Sequence, residues 1–144
     1  MSSSATILAK ICEEEKMNTK ELMTALFNFS HALMNGCEHC NITKNENLAC
    51  LLLQKASDLG HLESTYNLAL YYEDKEKNME KAVNYYKKGI ELGDYKSAFC
   101  LGLCYEQGKA GFDINLHKAE EMFRISYRFN RHYGPVLIRL NKLI

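Results

Sequence analysis

Two stretches of this chain lie over one another at a shift of 33 residues: HLESTYNLALYY (61–72) and DYKSAFCLGLCY (94–105). The overlay puts Leu68 on Leu101, Ala69 on Gly102, Leu70 on Leu103 and Tyr72 on Tyr105. The same shift carries Ala49 onto Ala82, Ala56 onto Gly89 and LGH (59–61) onto LGD (92–94). Further back, LFNFSHALMNG (26–36) aligns with AFCLGLCYEQG (98–108) and sets Ser30 on Gly102. Ala119 and Ser126 repeat the seven-residue spacing of Ala82 and Gly89. Self-similarity at this period marks an array in which one supersecondary unit is stacked on the next. A unit of this size cannot bury its apolar face alone, so the fold must be read as a whole array.

Each unit reads as two helices. Asn45, Asn78 and Asn115 stand as N-caps before apolar runs at 46–59, 79–92 and 116–129. Asn18 with Glu21 forms a capping box ahead of a helix over 19–35. Gly60 and Gly93 fall where a left-handed C-terminal cap is needed. Pro135 suits the first turn of a last helix, and no segment alternates as a strand does. A single proline and eight glycines in 144 residues agree with helices joined by short turns. The small residues recur for close approach: Ser30, Ala69 and Gly102 once per first helix, Ala49, Ala82 and Ala119 once per second. Leu68, Leu101, Tyr72, Tyr85, Tyr86 and Tyr105 fill the flanking space.

These residues carry a family resemblance. SAFCLGLCYEQGKAGFDINLHKAEEMF (97–123) resembles a Sel-one-like repeat (SLR), a relative of the tetratricopeptide repeat. The features are Ala98, Leu101-Gly102, Tyr105, Gly108, Asp113 and Lys118-Ala119. Residues 64–93 keep most of them with a shortened turn, and 24–60 keep Gly36 and Ala49 with an enlarged one. The resemblance implies an all-α, α/α solenoid of about three helix pairs that scaffolds protein complexes without catalysis. The expected division is a cap helix in 1–17, repeats at 18–60, 61–93 and 94–130, and a C-terminal half-repeat helix in 131–144. The resemblance also implies that the first helix of each pair lines a concave binding face. On that face Phe27, Tyr66 and Phe99 form one column, His31, Leu70 and Leu103 the next, and Met34, Glu73 and Glu106 a third. Glu73, Glu106 and Lys96 would orient a bound peptide or helix from the rim. The rings of the first column could equally fill the core between repeats.

Composition bounds the partner. The chain is 47% hydrophobic and 25% charged, ordinary for a globular protein, with no net charge. From residue 117 onward six basic residues face two acidic ones, leaving that end at +4 and the rest, twelve against sixteen, at −4. Such a balance argues against general nucleic-acid binding. Arg124, Arg128 and Arg131, at i, i+4, i+7, share a helix face and form a second, basic candidate surface. The start of the sequence, MSSSATILAKICEEEK, lacks the basic and long apolar parts of a secretory signal. No stretch reaches the ~18 apolar residues of a membrane span. Cytoplasmic, with no cofactor, is the expectation. The helix GPVLIRLNKLI (134–144) has an apolar stripe of Val136, Leu137, Leu140 and Leu143/Ile144, with Ile138 off it, and could dock another copy of the chain.

One short stretch hints at chemistry. GCEHCN (36–41) holds Cys37 and Cys40 with His39 between them. A structural zinc site needs four ligands and only one Cys-x-x-Cys pair exists. A redox pair usually begins a helix, whereas Cys37 follows a helix end, where the dipole disfavours a thiolate. The expectation is a polar surface turn between two helices. The alternative is a thiol- or metal-linked accessory protein using Cys37 and Cys40. Phosphate-binding glycine loops, HExxH and nucleophile elbows are absent from the sequence, and no enzyme activity is expected. His61, after a helix-ending glycine, is expected to face solvent.

Overall fold

The computed structural model describes residues 18–143, and the cap helix expected in 1–17 lies outside them. The described elements are α1 (Thr19–Asn35), α2 (Glu46–Asp58), α3 (Leu62–Asp74), α4 (Met79–Glu91), α5 (Tyr95–Gln107), α6 (Leu116–Phe129) and α7 (Gly134–Leu143). Among the described residues there is no strand beyond one isolated bridge, Cys37 to Ile42. No helix among them is long and apolar enough to cross a membrane. The chain forms two compact units that divide between Ser64 and Thr65.

In the first unit α1 starts at the expected capping box. The Glu21 N–H donates to Asn18 Oδ1 at 2.9 Å, and the Asn18 N–H donates to Glu21 Oε2 at 3.4 Å. The α1–α2 pair buries Leu26, Leu33, Ala49, Leu52 and Ala56, flanked by Leu22, Phe29, Met34, Ile42 and Leu48. Ser30 lies buried within α1 and satisfies its hydroxyl locally, donating to the Phe27 carbonyl at 2.6 Å. At the end of α2 the N–H of His61 reaches the Ala56 carbonyl (3.0 Å) and that of Gly60 the Ser57 carbonyl (2.9 Å). This paired closure is a Schellman motif, and it needs Gly60 at φ +96°. In the second unit Asp94 N–H to Gly89 carbonyl (2.8 Å), Gly93 N–H to Ile90 carbonyl (3.0 Å) and Gly93 at φ +88° repeat it at the end of α4.

The small-residue grid sits where helices touch. Ala49, Ala69, Ala82 and Ala119 have no exposed surface, and Ser30 has 1%. At Gly102 a Cβ would come within 2.5 Å of Phe123, so α5 and α6 meet with no room for a side chain there. Phe123 is fully buried with Ala119 and Val136, and Phe99, Leu103, Tyr105, Tyr133 and Leu140 pack around them. Asp94, an N-cap not foreseen, accepts from the Lys96 N–H (3.2 Å) and from the Ser97 hydroxyl (2.6 Å), fixing the start of α5.

One backbone bond recurs in every helix pair. The N–H of the N-cap asparagine of the second helix donates to a carbonyl near the end of the first. The bonds are Asn45 to Leu33 (2.8 Å), Asn78 to Tyr72 (2.7 Å) and Asn115 to Tyr105 (2.9 Å). Each asparagine thus works twice, its side chain capping the helix and its main chain pinning the turn.

Candidate protein-binding face

Within the second unit α3 and α5 carry Tyr66, Leu70, Glu73, Lys96, Phe99, Leu103 and Glu106. Tyr66 is half-buried, one turn from the fully buried Leu68 and Ala69. The exposed Lys96 ammonium lies 5.7 Å from its ring centroid and 6.0 Å from that of Tyr95, a cation–π arrangement. The Tyr66 hydroxyl accepts from the Cys100 thiol at 3.9 Å, and burial, then Cys100, pushes the phenol up from its ordinary range. Leu70 is half-buried. Phe99 is held more tightly, 5.7 Å from Phe123 and edge-on to Tyr133 at 5.3 Å. Leu103 packs on the same core.

The two carboxylates of this face are engaged within the unit. Glu73 accepts the Tyr86 hydroxyl and faces Lys109 Nζ at 3.8 Å. Glu106 accepts from Arg139 Nη1 at 2.6 Å, with both side chains largely covered. Neither Lys109 nor Arg139 was among the site residues expected from sequence. Arg139 had a signal, since it follows Glu106 by one repeat period of 33 residues. Lys109 lies in the irregular turn after α5, where periodicity says nothing.

In the first unit Phe27 is half-buried, its ring 6.2 Å from His31 and 5.1 Å from His61. His31 is exposed, and Met34 packs on the α1–α2 core. His61 corrects an expectation. It is only partly exposed: its Nδ1 lies 2.7 Å from the Ser64 hydroxyl and 3.3 Å from the Ser64 N–H, so it caps α3 as well as meeting Phe27. A histidine with an acceptor nitrogen serves at a helix start much as an asparagine does.

On α6 the basic face is exposed. Arg124 is bound to Glu120 through Nε (2.9 Å) and Nη2 (2.7 Å), and Arg128 is exposed beside Tyr127 and Phe129. The expectation that Arg131 shares this helix face is corrected, because α6 ends at Phe129, Asn130 turns the backbone extended, and Arg131 lies exposed in the turn beyond. On α7 Val136 is buried as expected, but Leu137 is 45% exposed, next to Ile138 at 59%. Among the described side chains of the expected stripe, Val136 is buried and Leu140 half-buried, while Leu137 is turned outward; Leu143/Ile144 lie outside them. The helix packs a single seam, and Arg139 takes a place at its edge to reach Glu106.

The Cys37–Cys40 turn lies at the surface, with Cys40 exposed and Cys37 partly so. Hydrogen bonds from the Cys40 thiol, then from the backbone N–H groups of Cys40 and His39, hold the Cys37 thiol below its ordinary value. Among the described residues no group of three or more His, Cys, Asp and Glu side chains is placed to hold a metal ion.

The comparisons with known proteins agree with this geometry. The Sel1 repeat family model matches residues 25–61, 62–94 and 96–128. Among solved structures, the chain is similar to a Sel1 repeat protein from Oxalobacter formigenes. The identity is 18%, the TM-score 0.72, and the match covers 85% of this chain and 49% of that one. It is similar to a protective antigen of uropathogenic Escherichia coli displaying an SLR fold (17%, TM-score 0.68, 84% of this chain and 26% of that one). It is also similar to Helicobacter pylori cysteine rich protein B (24%, TM-score 0.60, 84% and 96%). The chain thus spans half or less of the length of the first two. No curated protein matches it. The fold is all-α, of the SLR helical solenoid class, and Sel1 repeats are generally protein–protein interaction modules. With three matched repeats over most of its length, the chain belongs to the Sel1 repeat family.

Proposed function

We propose that this protein is a non-catalytic, cytoplasmic adaptor that binds a peptide or helix of a partner protein through the face of its first helices. In the second unit the face comprises Tyr66, Leu70, Lys96, Phe99 and Leu103; in the first, Phe27 and His31 hold the equivalent positions on its own first helix. One observation carries the reading: Tyr66 stays half-exposed under an exposed lysine while its neighbours Leu68 and Ala69 are wholly buried. A ring and a cation kept together at the surface suit a partner's apolar side chain next to a carboxylate. Glu73 and Glu106 support this face from behind, since their charges meet Lys109 and Arg139. Arg124 and Arg128 on α6, with Arg131 in the turn beyond it, are a secondary contact, and exposed Leu137 and Ile138 suit contact with a second copy of the chain.

The test uses the partner captured by pull-down, identified, and titrated against variants. Lys96→Glu touches no buried group and should weaken binding at least several-fold with unchanged melting. Tyr66→Ser should cost about 2 kcal/mol of affinity, the scale of an interface hot spot. Phe99→Ser is the control for folding, because it removes packing on Phe123 and Tyr133. Wild-type affinity in both Lys96→Glu and Tyr66→Ser would remove this face from consideration.

A further inference from the structure

The turn between α1 and α2 is built more tightly than a connecting loop requires. The Cys37 N–H donates to the Ile42 carbonyl at 2.9 Å and the Ile42 N–H returns to the Cys37 carbonyl at 2.8 Å. Inside this closed ring the Asn41 N–H reaches the Glu38 carbonyl at 3.1 Å, with Asn41 in the left-handed region at φ +54°. The ring thus holds both cysteines in one short surface loop, where each thiol shifts the other's hold on its proton. Cys37 starts this ring and Cys40 lies inside it, in the Glu38–Asn41 turn, the Cys-x-x-Cys spacing of a short-loop disulfide.

We propose that Cys37 and Cys40 are a redox-active dithiol that closes reversibly to an intraloop disulfide by exchange with a small-molecule disulfide of the glutathione class. The two thiols have distinct roles. Cys37 is the nucleophile: the Cys40 thiol and the N–H groups of Cys40 and His39 stabilise its thiolate. Cys40 is the resolving thiol, held protonated by its hydrogen bond to Cys37 and by the Cys37 charge. In the first step the Cys37 thiolate attacks one sulfur of the small disulfide, forming a mixed disulfide and releasing one thiolate. That step removes the Cys37 charge, and with it the influence that kept Cys40 protonated. Cys40 then loses its proton to solvent and attacks the Cys37 sulfur, releasing the second thiolate. The protein gives up two electrons and two protons, and the small disulfide is reduced to two thiols. The other described cysteines are poorly placed to compete. Cys50 and Cys104 are buried, and burial pushes the Cys104 thiol up to about 11. Cys100 is half-buried, its thiol engaged with Tyr66.

The experiment equilibrates the full reduced chain against graded mixtures of glutathione and glutathione disulfide. The mixtures are quenched in acid, alkylated, and read by peptide mass. The expected product is a Cys37–Cys40 bridge. Its equilibrium constant should be on the order of tenfold above that of the free hexapeptide of residues 36–41, which is about 30 mV for a two-electron couple. The peptide comparison needs no mutant and isolates what the folded turn adds. Cys40→Ser should accumulate a lasting glutathione adduct on Cys37, and Cys37→Ser should form its adduct on the order of tenfold more slowly. Two separate adducts on the wild-type turn, a constant no higher than the peptide's, or equal rates in the two serine variants would each overturn the proposal.

Discussion

Replacing Gly102 with leucine sets two physical effects against each other with opposite signs. Glycine in a helix interior is less favourable than leucine by somewhat under ~1 kcal/mol, so on an exposed face the change would stabilise. Here a Cβ alone would stand 2.5 and 2.7 Å from the Cε1 and Cδ1 atoms of Phe123. That ring cannot swing clear, because it is fully buried and faces Phe99 at 5.7 Å. Overpacking of this kind costs about 1–3 kcal/mol, which exceeds the propensity gain. The net expectation is a loss of roughly 1–2 kcal/mol, read by urea denaturation followed by circular dichroism. A double-mutant cycle sharpens the argument. Phe123→Ala alone should cost about 3–5 kcal/mol through the cavity it opens. With leucine at 102 the same truncation should cost less by about 1–3 kcal/mol, because the new side chain enters the space the ring has left. If Gly102→Leu melts like the wild type, or if the two changes simply add, then α5 and α6 do not meet at Gly102 and the reasoning fails.

Three further outcomes follow from the same packing. Gly89→Ala would place a Cβ 2.2 Å from the Ser97 hydroxyl of a buried Ser97–Asp94 pair, so it should destabilise by about 1–3 kcal/mol, and Ser97→Gly should restore much of the loss. Arg139→Ala leaves Glu106 without the partner seen at 2.6 Å. A loss of about 1–2 kcal/mol in chemical denaturation, smaller at high salt, is expected, with Glu106→Gln in the same background relieving it. The buried Cys104 thiol, raised to about 11 from 9.0, binds its proton more tightly when folded. Its contribution is intact below about pH 9 and is lost as pH rises toward 11, so melting should fall across that window and fall less in Cys104→Ala.

Much of this fold was legible because a repeat writes its contacts several times over. Three asparagine caps, two glycine closures and one small residue per helix are each weak evidence alone, and the 33-residue shift combines them. What stayed hidden has a common cause. Periodicity tells which face of a helix turns inward, not which polar atoms meet across the seam. Glu73 and Glu106 were read as free rim charges, yet their partners come from the turn after α5 and from α7. His61 was assigned by its place after a glycine, but the same Schellman closure that releases α2 aims its ring at the start of α3. Leu137 matched an apolar stripe that α7, packing along one seam, did not need.

The division of labour between positions bears on what a partner would read. Where helices of a pair touch, side-chain volume is the constraint, and the residue is serine, alanine or glycine in every repeat. One turn along the first helices that constraint lapses. There the chain varies freely: Phe27, Tyr66 and Phe99; His31, Leu70 and Leu103; Met34, Glu73 and Glu106. On the proposed reading, recognition resides in those members of the set that no core engages, such as His31, Tyr66 and Leu70, whereas Phe99, Leu103 and Met34 also pack on the cores. The internal pairing of Glu73 and Glu106 then has a consequence for partner chemistry. With those charges offset by Lys109 and Arg139, the second unit offers apolar side chains and the exposed cation of Lys96 rather than an acidic rim. A basic peptide would find little to pair with there, whereas an apolar anchor flanked by an acidic residue would meet both Tyr66 and Lys96. Charge reversal at Lys96 should therefore shift preference among partner peptides, while charge removal at Glu106 should act through the stability of the α5–α7 contact.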